Sequence, residues 1–176
     1  MKNIGIIRRI SYLLPQTVLK NLYFALIYPY LTYCNLIWTS TYPVHLNKLK
    51  SLQKRAIRVI TNSPYNAHTK YLFQTLKLLN LNQIRYVQIS EVMYKYDKNL
   101  LPIAFTSFFP TTKHLKVTRS NCTYSYPLVR TNVHKLSIKY QGPFLWNNLP
   151  HEIKTAAGLS QFRCLIKNHA LYNNNL

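Results

Sequence analysis

Five cations fall within residues 48–58, "KLKSLQKRAIR": Lys48, Lys50, Lys54, Arg55 and Arg58, with no acid among them. On a helix, ammonium and guanidinium groups recurring at three- and four-residue spacing share one side, where they can follow the phosphates of a nucleic-acid backbone. Tyrosine and tryptophan side chains could add stacking on sugars or bases. Neutralising about six phosphates would make affinity fall roughly a thousandfold between low and physiological salt. A charge stripe is ordinarily just a solvated face. The balance of the whole chain argues here for contact, because 23 Lys and Arg stand against three acids, for a net charge of +20. Such a surface repels itself until a polyanion neutralises it, so the expected partner is nucleic acid (RNA or DNA) or an anionic membrane, with nucleic acid favoured by the charge and aromatic content together.

Other chemistries lack their residues. Two-metal phosphoryl transfer needs clustered carboxylates, and the acids are Glu91, Asp97 and Glu152 alone. Glu91 and Asp97, six apart, fall on different faces of a helix and read as solvated or paired charges. There is no Cys-x-x-Cys, and Cys164 with His169 is half of a zinc knuckle without its other half. No Gly-x-Ser-x-Gly elbow exists, and three glycines in the chain leave none for a phosphate-cradling loop. The expectation is therefore a protein with no catalytic residue, metal, cofactor or small-molecule substrate. Cys34, Cys122 and Cys164 are odd in number and far apart, which fits free thiols in a reducing compartment. Arg8 and Arg9 interrupt any apolar core at the amino end, so it does not read as a secretory signal.

The elements that must position the basic stripe are mostly helical. Residues 43–61 open on Pro43, and at about 100° per residue Leu46, Leu49, Leu52, Ala56, Val59 and Ile60 fill one face. Lys50, Lys54, Arg55 and Arg58 fall opposite, with Lys48 at the margin. Residues 15–39 read as a preceding helix, bent at Pro29. Its uncharged run from Asn21 to Trp38 is about the minimum for a membrane span. Four tyrosines, two asparagines and the central proline favour a buried, kinked helix instead. Further helices are expected at 68–79, 82–98 and 160–172, the last with Ser160 as N-cap and Phe162, Leu165 and Ile166 inward.

Between them the period changes. Cys122, Tyr124, Tyr126 and Leu128 alternate with polar residues, as do Leu136, Ile138 and Tyr140, which predicts two strands joined around Arg130–Asn132. "GPFLWNNLP", residues 142–150, then reads as a clasp. Gly142 would turn the chain out of the second strand, Pro143 would start a short helical turn, Trp146 would dock on the core, and Pro150 would open the next turn. The fold class expected is mainly α with a small antiparallel β-hairpin. Its organisation is a helical part (1–98), a connector (99–118) and a mixed C-terminal part (119–176).

Three stretches occur together in order: "LLPQTVLKNLYFALIYPYLTYCNLIW", "LNKLKSLQKRAIRVI" and "YQGPFLWNNLPHEIK…LSQFRCLIK". Together they resemble the C-terminal end of a non-LTR (LINE-type, jockey-like) retrotransposon reverse transcriptase, from about Gly5 to Leu171. In that family the region follows the palm and comprises the thumb and a C-terminal extension. The resemblance implies a helix gripping the template–primer duplex through Lys48, Lys54, Arg55 and Arg58, and nuclear residence. It places Tyr23, Tyr30, Tyr33 and Trp38 on a helix where core packing is expected. The family's paired polymerase aspartates have no counterpart, since no two acids are adjacent here. The chain thus resembles a non-catalytic fragment of an RNA-directed DNA polymerase. The alternatives are a remnant without function and a basic protein anchored in a membrane through residues 21–38.

Overall fold

The computed structural model describes residues 2–109 and 124–172. Among them run eleven helices: α1 (Lys2–Ile10), α2 (Gln16–Leu26), α3 (Tyr28–Thr32), α4 (Asn35–Trp38), α5 (Pro43–Ile60), α6 (Thr69–Leu76), α7 (Leu81–Asp97), α8 (Asn132–Leu136), α9 (Ile138–Asn148), α10 (His151–Lys154) and α11 (Leu159–Tyr172), with a single 3₁₀ turn at Ile103–Phe105. The protein is mainly α-helical.

Helix α7 lies at the centre. It packs against α9 and α11 on one side and against α3 and α4 on another. Its buried residues accordingly point in all directions, including Ile84, Tyr86, Val87, Ile89, Met93 and Tyr94. Tyr94 stacks on Phe162 of α11 with centroids 4.4 Å apart, and its hydroxyl donates to the Ala156 carbonyl at 2.8 Å. Helix α5 packs against α1, α2 and α6, and the core it closes is continuous with that around α7.

Helix ends show how a chain with three glycines stops its helices. After α5, α6 and α7 the residue in the left-handed region is Asn62 (φ 49°), Lys77 (φ 52°) and Asn99 (φ 53°). Each time the following amide reaches back to close the turn: Ser63 to the Arg58 carbonyl at 2.9 Å, Leu78 to Phe73 at 2.9 Å, Leu100 to Lys95 at 2.8 Å. This is the Schellman arrangement, built with asparagine or lysine where glycine is commonest. At the other end of α7, Asn80 and Gln83 form a reciprocal capping box: Gln83 N–H donates to Asn80 Oδ1 at 3.0 Å, and Asn80 N–H to Gln83 Oε1 at 2.9 Å.

Several expectations are corrected. The helix expected over 15–39 is three helices. Pro29 has no N–H to continue α2, so the chain breaks at Ile27 and restarts with Pro29 in the first turn of α3. Cys34, at φ 48°, then separates α3 from α4. Among the described residues, no helix is long and apolar enough to cross a membrane.

The predicted β-hairpin is not formed. Leu136, Ile138 and Tyr140, read as a strand, belong to α8 and α9. Thr131, in the expected loop, accepts from the His134 amide at 3.4 Å, and Ser137, a polar position of the supposed alternation, accepts from Lys139 at 3.1 Å, so each is the N-cap of a helix. In the other supposed strand Tyr124 makes only an isolated bridge, while Cys122 lies outside the described residues. Ser160 is likewise not an N-cap, because α11 has already begun at Leu159, although Phe162 and Ile166 point inward as expected.

Gly142 and Pro143 sit inside α9, not at a strand end. A Cβ on Gly142 would lie 2.8 Å from Met93 Sδ and 3.0 Å from Phe109 Cε1, so the glycine is what lets α9 approach α7. Pro143, also buried, removes one intrahelical hydrogen bond within this contact. Trp146, one turn beyond Gly142, is 1% exposed and packs beside Phe162 with centroids 6.2 Å apart. Asn147 holds the stretch at Tyr124 in place of a second strand. Its Oδ1 accepts from the Tyr124 amide at 3.3 Å and its Nδ2 donates to the Tyr124 carbonyl at 2.8 Å. Pro150, exposed, is the N-cap of α10, with Glu152 in that first turn.

Candidate nucleic-acid interface

Helix α5 carries the basic stripe because its inner face is fully occupied. The buried residues are Leu46, Gln53, Ala56, Ile57 and Ile60, with Leu49, Leu52 and Val59 half-buried at the edges. The inner face is thus centred nearer Gln53 and Ile57 than the apolar pattern placed it. Gln53 can be buried because every polar atom of its amide is used. Nε2 donates to the Tyr23 hydroxyl at 2.9 Å and to the Leu79 carbonyl at 3.0 Å, and Oε1 accepts from the Leu81 amide at 3.0 Å. Burial pushes the Tyr23 hydroxyl up to about 12, against the lowering effect of the Gln53 bond. This node ties α2, α5 and the start of α7 together and fixes the rotation of α5 about its axis.

With that rotation set, Lys48, Lys54 and Arg55 are exposed, and Lys50 and Arg58 are half-buried on the flanks. The flanks lead into two clefts. On one side, Lys50 and Lys54 meet Lys70 at the start of α6 in a cleft of about 420 Å³, floored by Phe73, Leu78 and Leu81. On the other, Arg55 and Arg58 meet Arg8 of α1 in a cleft of about 340 Å³. Among the described residues, no acid lines either cleft. Arg8 and Lys70 were not singled out in the sequence. They lie outside the 48–58 window, and tertiary packing alone brings them to it.

Arg58 is held in place by its surroundings. Its Nε donates to the Ala67 carbonyl at 3.0 Å, and its guanidinium carbon lies 5.8 Å from the Tyr65 ring centroid.

The acids lie elsewhere. Glu91 accepts from Arg163 Nη2 at 2.6 Å and pairs with Lys95 at 2.9 Å. Burial raises its carboxyl, but the hydrogen bonds and charges of Arg163 and Lys95 outweigh that and hold it below the ordinary carboxylate range. Asp97 accepts from the Tyr124 hydroxyl at 3.0 Å and lies 3.6 Å from Lys98. Burial and the Asp97 carboxylate together push the Tyr124 hydroxyl upward. Among the described residues there is no group of three or more His, Cys, Asp or Glu that could hold a metal ion. Cys34 and Cys164 are exposed free thiols, and His169 Nδ1 is 3.0 Å from the Tyr86 hydroxyl.

The aromatic residues of the 15–39 region divide. Tyr23 is buried and Trp38 half-buried, its indole donating to the Tyr33 carbonyl at 2.7 Å. Tyr30 and Tyr33, expected in the core, are 73% and 77% exposed. The breaks at Ile27 and Cys34 turn those two outward.

What this arrangement can do is bind. It presents a helix of cations between two basic clefts, and the described residues hold no group of three or more His, Cys, Asp or Glu that could bind a metal. Comparisons with family models, with curated proteins and with solved structures found no match to this chain.

Proposed function

We propose that this chain is a non-catalytic nucleic-acid-binding module, holding the backbone of a template–primer duplex or of RNA against the exposed side of α5. The thumb and C-terminal extension of a non-LTR reverse transcriptase, which the sequence resembles, would act in this way, within the nucleus. One observation carries the reading. Lys48, Lys50, Lys54, Arg55 and Arg58 line the outer side and flanks of one helix, and the clefts on those flanks add Arg8 and Lys70 but no carboxylate. A structural stripe of charge would be laced with acids, as Glu91 is with Lys95 and Arg163. An unlaced one repels itself until phosphates arrive.

The test is a salt series on the binding of a primer–template duplex. The expected result is tight binding at low salt, with log affinity falling linearly in log salt. The Lys54→Ala, Arg55→Ala, Arg58→Ala triple variant should weaken binding without sequence preference and flatten the slope by about 2–3. No binding at low salt, or a slope near zero, would sink the proposal.

A further inference from the structure

The arginine cleft differs from the rest of the stripe in shape. At about 340 Å³ it falls within the ~300–1,000 Å³ range of small-ligand sites and is too small to admit a duplex. Arg8, Arg55 and Arg58 enter it from two helices, and the Schellman loop after α5 closes it with Asn62, Ser63 and Tyr65. Three guanidiniums around one cleft with no lining acid call for an anion. The planar, multi-donor guanidinium also matches phosphate oxygens two at a time. The Ala67 carbonyl fixes Arg58 through Nε, leaving its two NH₂ groups for a ligand.

Tyr65 supplies the second half. It stands at the cleft's edge, 80% exposed, with the Arg58 guanidinium over one face of its ring. The opposite face is a flat, electron-rich platform at the edge of the arginine cleft, which is the pairing that single-strand binders use for base and backbone.

We infer that this cleft binds one nucleotide of an unpaired strand, its phosphate held by Arg8, Arg55 and Arg58 and its base stacked on Tyr65. The inference rests on the nucleic-acid reading of α5 and adds to it a separate seat, where a single-stranded end or extruded base leaves the duplex that α5 tracks.

The probe is a single-stranded pentanucleotide carrying 2-aminopurine, whose fluorescence is quenched by stacking, titrated into the full chain. Wild type should bind and quench. Tyr65→Ala should lose the quench and about tenfold in affinity, while Tyr65→Phe keeps both. Arg8→Gln should also weaken the pentanucleotide about tenfold. Duplex affinity should move less than about twofold in Tyr65→Ala, which separates this seat from the stripe. Equal binding and quenching by wild type and Tyr65→Ala would overturn the inference. So would complete displacement by inorganic phosphate equimolar with the pentanucleotide, which would mark a simple anion site. A duplex that binds with its salt slope while 2-aminopurine stays unquenched defeats this inference alone; absence of duplex binding at low salt defeats the reading of α5 as well.

Discussion

Helices α5 and α7 are nearly equal in length, at 18 and 17 residues, and use their polar side chains in opposite ways. On α7 they reach backbone carbonyls near the ends of other helices. Gln83 donates to Ala170 at 2.7 Å, Gln88 to Thr32 at 3.0 Å, and Arg85 to both Leu136, at 2.6 Å, and Thr39. These carbonyls belong to the last described turn of α11, to the last turns of α3 and α8, and to the residue after α4. α7 thus caps four helices from the side while burying its apolar residues all around. Burial pulls the Arg85 guanidinium down from its ordinary value. On α5 Gln53 works inward in this way and Arg58 spends only its Nε on the Ala67 carbonyl, while among the described residues no acid lines the clefts beside its cations. The lesson is that charge on this molecule is structural where carbonyls or a carboxylate take up its terminal nitrogens, as for Arg85 and Arg163, and available where those nitrogens meet neither.

The largest effect should come from the contact that seats α9 and α11 beside α7. Trp146→Ala empties a site that is 1% exposed, next to Phe162, and should cost about 3–5 kcal/mol in chemical denaturation. Duplex affinity per folded molecule should stay unchanged. A stable variant with lost affinity would instead make Trp146 part of the binding surface and blur the division between the two helices.

Next comes a paired test of the division itself. Arg85→Met leaves the Thr39 and Leu136 carbonyls without their donor and should destabilise by about 1–3 kcal/mol while leaving duplex binding alone. Arg55→Met should do the reverse: stability within about 0.5 kcal/mol, but a salt slope shallower by about 1. If both variants move the same quantity, the distinction between engaged and available cations fails.

How legible this was in the sequence follows the same line. α5 could be read because one of its sides meets core and the other solvent, so apolar spacing marks its face. Even so Gln53 was missed, since a buried glutamine is revealed only by the partners that satisfy it. α7 could be found as a helix but not placed, because a helix buried on every side has no face to project. The hairpin was misread from three alternating residues, a run too short to outweigh two caps. Thr131 and Ser137 are good N-caps, and they looked like a loop residue and an outward strand position. The two clefts had no local signature, because Arg8 and Lys70 reach them only once α1 and α6 have packed on α5.

Gly142 sharpens that point, since it was read as a turn residue and turned out to be a close-approach residue. Gly142→Ala should cost about 1–3 kcal/mol, because Met93 and Phe109 must shift to admit the methyl group. A true turn glycine with positive φ would be strained whatever the space around it. Enlarging the room with Met93→Ala in the same chain should therefore recover part of the loss from Gly142→Ala, measured as a coupling in a double-mutant cycle. Strict additivity would show that the cost lies in the backbone and not in the contact with α7.

The smallest effect concerns the laced charges. Glu91 is held below the ordinary carboxylate value of about 4.5 by Arg163 and Lys95, so the folded chain binds its proton less readily than the unfolded one. Its contribution is then fully present above about 4.5, the unfolded value, and is lost as pH falls through the lower folded value. Because Arg163 is half-exposed, water and salt screen the pair, and the contribution should be under about 1 kcal/mol. Glu91→Gln should therefore lower stability slightly at pH 7 and match wild type near pH 3, with 0.5 M salt shrinking the difference at neutral pH. A difference that persists unchanged at acid pH would mean that Glu91 acts through packing rather than charge, and that the carboxylates on α7 are no guide to which cations are engaged.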